Sequence, residues 1–516
     1  MKTEMKDYRK KVSGCWLGKA VGGTLGMPFE GYPGTNKLTY YDPVPTAAVP
    51  NDDLELQVMY ACALDKMARV EVNREILADI WLKHNEYHCD EYAVAICNLR
   101  RGIRPPYSGK YDNYFYDGMG AAIRSELWAC LAPGDPKLAA ALAYEDAIID
   151  HAEDGVYAEM FLAALESQAF VETNIDKLIE TGLSVIPENC LIHKGVTDTC
   201  AWWMQSGDWK TVRDKIYAAY ASEFSTCVLI NLPFTVLGLL AGEGDFGKSI
   251  CLAANCGMDT DCTAATAGSI LGIINPDSIS EKWSAPIGDE VIVRKEKIVN
   301  LDTPKTLDAL TNLIISLRDR LVDFVPAKLG PEPDWSKHII HAEICGLSTL
   351  HWWHIPMRDF KGKWESLELP GHMASLDLAR FPEARQLLLK VKFKIDAEDD
   401  HSIMFNTPST CHVYLDPDWN SKALNDSSDM LFGRTRPFFG EEPTGRFQSK
   451  ESMGNTVFSP CLSGAPLNQI KRHLMLKPGI HELLVSIVPQ AGDKTVKWCM
   501  GIGKLSTCEF IDAFRQ

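Results

Sequence analysis

Two short acidic runs are the residues best placed to do chemistry. One is Asp52-Asp53, within Pro50-Asn51-Asp52-Asp53; the other is Asp259-x-Asp261, within Gly257-Met258-Asp259-Thr260-Asp261-Cys262. Neighbouring carboxylates in a tight turn present several hard oxygens from a constrained backbone, the donor set of a hard divalent cation. Each run also precedes a helical pattern, and Asn and Asp are residues that cap helices and suit their N-termini. Taken singly, each run reads as well as a plain helix start. Two such runs in one domain favour metal, because four carboxylates brought together without a cation would repel one another or hold protons.

The elements that must position these runs are helical up to about residue 325. Leu56, Met59, Tyr60 and Ala63 recur at helical spacing. Further helices are predicted over 73–99, 138–170, 208–222 and 262–274. Turn signals such as Ala132-Pro133-Gly134-Asp135 and Gly242-Glu243-Gly244-Asp245 separate them. The small residues from Thr263 to Gly268 let their helix pack closely, and Gly257 lets the chain turn sharply before Asp259. The proline-rich stretch 326–334 reads as an interdomain linker. Beyond it the period becomes two: in Leu389-Lys-Val-Lys-Phe-Lys-Ile395 apolar residues alternate with lysines. Val413–Leu415 and Leu483–Val488 are further strands, the latter after a turn at Lys477-Pro-Gly479. The expected organisation is an all-α domain over 1–325, a linker over 326–334 and an antiparallel, jelly-roll-like β-sandwich over 335–516.

At 516 residues, with 46% apolar residues, the chain has enough core-forming sequence for two domains. A net charge of -17 argues against a nucleic-acid backbone or an anionic membrane as partner. The N-terminal residues lack the apolar core of a secretory leader, and no run is long enough to span a bilayer. The sixteen cysteines form no CxxC pair and read as buried thiols of a cytoplasmic protein.

The helical domain resembles the ADP-ribosylglycohydrolase family, which includes the dinitrogenase reductase-activating glycohydrolase. The resemblance runs over roughly residues 11–300. It is carried by Gly14-Cys-Trp-Leu-Gly-Lys-Ala-Val-Gly-Gly-Thr-Leu-Gly26, Glu30, Asn51-Asp-Asp53, Gly118-Met-Gly-Ala-Ala-Ile-Arg124 and His151. The stretch from Asn231-Leu-Pro233 through Gly257-Met-Asp-Thr-Asp261 to Gly268 and Leu271-Gly272 completes it.

The resemblance implies an all-α fold with two Mg or Mn ions in a cleft. The implied metal ligands are Asn51, Asp52, Asp53, Asp259, Asp261 and Cys262, with Glu30 beside them. Glu30, Asp52, Asp259 and Asp261 are the implied catalytic groups, and Gly118, Met119, Gly120, Arg124 and His151 line the substrate side. Internal pairing of Arg124, with Glu126 for instance, is an equal alternative. The chain departs from the family pattern at Asn51 and Cys262, where threonines are usual, at Met119, where asparagine is usual, and at Ser125-Glu126-Leu127. A neutral thiol is a poor ligand for magnesium.

The implied activity is metal-dependent hydrolysis of a glycosidic bond in a small-molecule or protein-linked sugar substrate resembling ADP-ribose. A different sugar-containing substrate and a non-catalytic binding or structural relative of the same fold are the alternatives. Trp352-Trp353-His354 and Trp364 resemble the aromatic-rich accessory sandwiches of sugar-active enzymes, although a structural sandwich explains them as well.

Overall fold

The computed structural model describes residues 7–222, 224–350, 362–407, 409–417, 430–434, 471–489, 492–504, 509–511 and 513–514. The chain divides into two compact units: Met1–Tyr87 with Asn98–Pro331, and His88–Cys97 with Glu332–Gln516. Residues 326–334 carry no helix or strand and are mostly exposed.

In the first unit a helix at Tyr8–Gly26 packs against one at Thr260–Ile274. Both are buried over most of their length, as expected of helices without a polar face. Their approach is set by residues four apart. Gly14, Gly18, Gly22 and Gly26 oppose Gly272, Gly268, Ala264 and Thr260, so the helices run antiparallel. A Cβ on any of these four glycines would lie less than 3.0 Å from the opposing backbone carbonyl. Only glycine lets the two backbones come this close. The pair therefore acts as a rigid bar, with the end of the first helix held beside the start of the second.

Two of the expected long helices are each broken. The 73–99 stretch forms Arg74–His84 and Asp90–Arg100, with Asn85 extended after the first. The 138–170 stretch forms Pro136–Ala147 and Asp154–Ala169, and Glu153 between them has a positive φ of 51°. Neither break carries a proline, so no strong local breaker marks it in the sequence. The other two expectations correspond to helices at Trp209–Tyr220 and Thr260–Ile274.

The second unit contains strands β1 (Ile340–Leu347), β2 (Glu365–Leu369), β3 (Met373–Asp377), β4 (Gln386–Ile395), β5 (Asp399–Asn406) and β6 (Thr410–Leu415). They are followed by β7 (Met430–Arg434), β8 (Lys471–Leu476), β9 (Gly479–Val488), β10 (Thr495–Lys504) and β11 (Glu509–Ile511). One sheet has the order β2-β1-β4-β9-β6-β7, the other β11-β10-β5-β8, with β3 also pairing β10. All the pairings are antiparallel. Both sheets contribute to one apolar core, in which Phe393, Val485, Ile403 and Trp498 are fully or almost fully buried.

Strand β4 shows the expected alternation from Leu389 to Ile395 but is buried on both faces before that. Leu388 joins Cys345, Tyr414 and Leu484 in a second apolar cluster, against which Trp364 packs. Lys390 lies 4.7 Å from the Trp364 ring centroid, a cation–π contact. Trp364 thus has a structural place in the sandwich, while Trp352-Trp353-His354 lie outside the described residues.

Candidate metal centre

The two acidic runs meet, though some two hundred residues separate them. Ligand atoms of Asp53, Asp261 and Cys262 lie within 4.8 Å of one another, and so do those of Glu30, Asp259 and Asp261. Asp261 belongs to both triads. Asp52 belongs to neither; it is half-buried at the first turn of the Asp52–Asp65 helix, and its charge acts on Asp53, Asp261 and Cys262.

Three devices hold this arrangement. The glycine-spaced helix pair ends where Glu30 begins, and Thr260 Oγ1 donates to the Gly26 carbonyl at 2.7 Å. The loop carrying Glu30 is tied to the turn before Asp259 by a reciprocal backbone pair: Gly31 N–H donates to Met258 O at 2.8 Å, and Met258 N–H to Tyr32 O at 2.7 Å. That turn needs Gly257 and Met258 at φ of 81° and 66°. A Cβ on Gly257 would collide with the Gly34 backbone. Finally, Asn231 accepts from the Asp259 N–H at 3.1 Å through its side-chain oxygen, while its amide NH₂ donates to Ser225 O and Cys227 O.

Asn51, expected as a ligand, lies beside the acidic runs and makes two hydrogen bonds there. Its amide oxygen caps the Asp52–Asp65 helix, accepting from Asp53 N–H at 2.8 Å, and its NH₂ donates to Asp261 Oδ2 at 3.1 Å. That oxygen accepts one N–H and keeps its second lone pair. Through its NH₂, Asn51 also orients a carboxylate of the site.

Buried carboxylates are normally hydrogen-bonded. Here both oxygens of Asp259, Asp53 Oδ2 and Asp261 Oδ1 are buried without a hydrogen-bond partner. Burial, together with the neighbouring Asp261 and Glu30 carboxylates, raises the pKa of Asp259 well above the ordinary range. Burial and Glu30 push Asp261 up to about 7. Asp53 and the Cys262 thiol are raised in the same way, burial being the largest cause for each. Oxygens that are buried, convergent and unpartnered are what a cation site requires, so the donor set fits a pair of divalent cations.

Lys19 was not singled out by sequence reasoning. It is 1% exposed, with Nζ 2.7 Å from Glu126 Oε1 and 3.7 Å from Asp53 Oδ2. Burial lowers its pKa, but the Glu126 and Asp53 carboxylates more than offset this, so the ammonium stays charged. Glu126 also accepts from Gln57 Nε2 at 2.9 Å and Ser269 Oγ at 2.9 Å. The available signal was a lysine as the one charged residue of the glycine-spaced run 14–26. Arg294 was missed too; it pairs with Glu55 and reaches Tyr87 Oη at 2.5 Å.

The residues expected on the substrate side are largely internal. Arg124 is fully buried and commits all five donors. Nε and Nη2 donate to Asp146 at 3.0 Å each, Nη1 and Nη2 to Asp150 at 3.0 and 2.9 Å, and Nη1 to Gly120 O at 2.6 Å. No N–H remains for a ligand phosphate, and the partners are Asp146 and Asp150 rather than Glu126. Despite its burial, Asp150 has a lowered pKa, held there by Arg124 and His151. His151 is fully buried; the Ala121 N–H donates to its Nε2 at 3.3 Å, and its Nδ1 is 2.9 Å from Asp150 Oδ1. The ring therefore buttresses the 118–124 segment from behind. Met119 is 1% exposed, and Gly118 forms an isolated bridge with Cys227.

A family model described as ADP-ribosylglycohydrolase matches residues 4–316. No curated protein matches the chain. A solved structure titled ADP-ribosylglycohydrolase-related protein complex is 20% identical, with a TM-score of 0.43, covering 61% of this chain and 100% of that one. A β-glucosidase from Kluyveromyces marxianus is 10% identical, with a TM-score of 0.19, over 32% of this chain and 16% of its own. A family GH115 4-O-methyl-α-glucuronidase is 11% identical, with a TM-score of 0.16, over 74% and 41%. No described helix is long and apolar enough to cross a membrane.

Proposed function

Because the chain belongs to the ADP-ribosylglycohydrolase family, we propose that it hydrolyses a glycosidic bond at a centre where Glu30, Asp53, Asp259, Asp261 and Cys262 hold two divalent cations. The observation that carries this reading is Asp259: its carboxylate is 1% exposed, both oxygens lack partners, and it converges with Glu30 and Asp261. When bound, such cations orient vicinal sugar hydroxyls and lower the pKa of a coordinated water.

The protein's own groups divide the remaining work. Asp259 and Asp261 would supply the negative charge that holds the cations in place. Glu30 is the exposed member of its triad and stands at the open edge of the site. It is the carboxylate best placed to take the proton of an attacking water. Asn51 and Asn231 hold Asp261 and the Asp259 backbone in register.

ADP-ribosyl compounds are the first substrate class to examine. A different sugar-containing substrate is the second reading, favoured by an Arg124 with no donor to spare and an apolar, buried Met119. The test is turnover of ADP-ribosyl-arginine, ADP-ribosyl-serine and a panel of simple glycosides with Mg²⁺ or Mn²⁺, by wild type and Asp259→Asn. Cleavage by the wild type alone supports the reading. Equal turnover by the variant refutes a metal-held centre. Absence of turnover and of cation binding in the wild type points instead to a non-catalytic relative.

A further inference from the structure

We propose that the two corners of this centre differ in chemical hardness: Asp53, Asp261 and Cys262 form a thiophilic site for a cation of the Zn²⁺, Fe²⁺ or Co²⁺ class, while Glu30, Asp259 and Asp261 form a hard site for Mg²⁺ or Mn²⁺. The proposal rests on the binuclear reading above and adds the identity of the two sites.

Three observations carry it. The two triads share Asp261 but differ in composition, one offering oxygens alone and the other two carboxylates and a sulfur. Cys262 is 7% exposed, and its Sγ lies 3.3 Å from Asp53 Oδ1, so the sulfur points at the carboxylates rather than into the apolar core. Asp53 Oδ2 and Asp261 Oδ1 are buried without hydrogen-bond partners, so each carboxylate beside the sulfur keeps one oxygen that no hydrogen bond satisfies.

Lys19 sharpens the argument. Asp53 is flanked on one side by the Cys262 sulfur at 3.3 Å and on the other by the Lys19 ammonium at 3.7 Å. A fixed positive charge beside Asp53 opposes a dication in this corner. A neutral hydroxyl at position 262 would do nothing to offset it, whereas a thiolate adds a full negative charge. On binding, Cys262 gives up its S–H proton to solvent and the sulfur lone pair goes to the cation. Thiolate sulfur favours borderline and soft cations over magnesium, so the corner that carries Lys19 is also the corner that selects against Mg²⁺.

The experiment titrates metal-free full-length protein with Co²⁺, followed by thiolate-to-cobalt charge-transfer absorption in the near ultraviolet. Mn²⁺ binding is followed separately by electron paramagnetic resonance. The expected result is a charge-transfer band in the wild type. It should be lost in Cys262→Thr and retained in Asp259→Asn and in a Cys256→Thr control. Mn²⁺ binding should show the reverse pattern, kept in Cys262→Thr and lost in Asp259→Asn. Cys262→Ser repeats the first loss with a nearly isosteric side chain and covers a folding failure of the threonine variant. Co²⁺ binding without the band, or a band that survives both Cys262 variants, overturns the proposal and leaves the binuclear reading standing. No binding of any divalent cation by the wild type overturns that reading, and this proposal with it.

Discussion

Gly18 and Gly268 face each other across the two central helices so closely that a Cβ on either would strike the other's carbonyl. The contact lies in the middle of the bar that sets Glu30 against Asp259 and Asp261. Gly18→Ala is therefore expected to cost about 1–3 kcal/mol of stability, the usual range for overpacking. It should also weaken divalent-cation binding, although neither glycine touches the site. Calorimetric cation titration beside thermal unfolding checks this; unchanged cation affinity in a destabilised variant would show that the bar does not transmit to the centre.

Asp261 makes the stability of the cation-free protein depend on pH. Burial and the neighbouring Glu30 carboxylate push its pKa in the folded chain up to about 7, above the 3.8 of a free aspartate. Between these values the unfolded chain has released the proton and the folded chain retains it, so stability falls as pH rises through the window. Melting temperatures in chelator from pH 4 to pH 7 should decline, and Asp261→Asn should flatten the decline. A saturating divalent cation should also reduce it. A variant whose pH slope matches the wild type would contradict the assignment.

Lys19→Met leaves Glu126 buried without its cation. Breaking one partner of a buried pair costs about 3–5 kcal/mol, and the melting temperature should drop accordingly. Adding Glu126→Gln should restore much of the loss. The double variant, freed of the ammonium beside Asp53, should bind divalent cations more tightly than the wild type. Weaker binding would mean that Lys19 shapes the site rather than opposing a cation in it.

Arg124→Met is expected to act on the fold. It strands Asp146 and Asp150 in a fully buried position, again at about 3–5 kcal/mol. Arg124→Lys should recover little, because one ammonium cannot reproduce five donors in a planar fork. Denaturant unfolding measures the loss. A variant that keeps full stability but loses affinity for phosphate-bearing substrates would return Arg124 to the substrate side.

Much of this protein is legible in its sequence because the signals are local. Asn51 before two aspartates marks a helix start, Gly257 marks a turn, the small residues 263–268 mark a closely packed helix, and lysines alternating with apolar residues mark a strand. Each depends on backbone preferences over a few residues. The partners of the buried charges are not local. Asn51 meets Asp261 across 210 positions and Lys19 meets Glu126 across 107. No spacing rule announces which atom of an amide faces which carboxylate. A lysine or arginine has the same sequence signature whether it reaches solvent, a ligand or a buried aspartate. Tertiary packing decided that Asn51 turns its NH₂ to the site, that Arg124 is consumed internally, and that Asp53 stands between an ammonium and a thiol. Only the folded chain sets the distances and the burial, and these determine which polar groups are satisfied within the protein and which are left to hold something else.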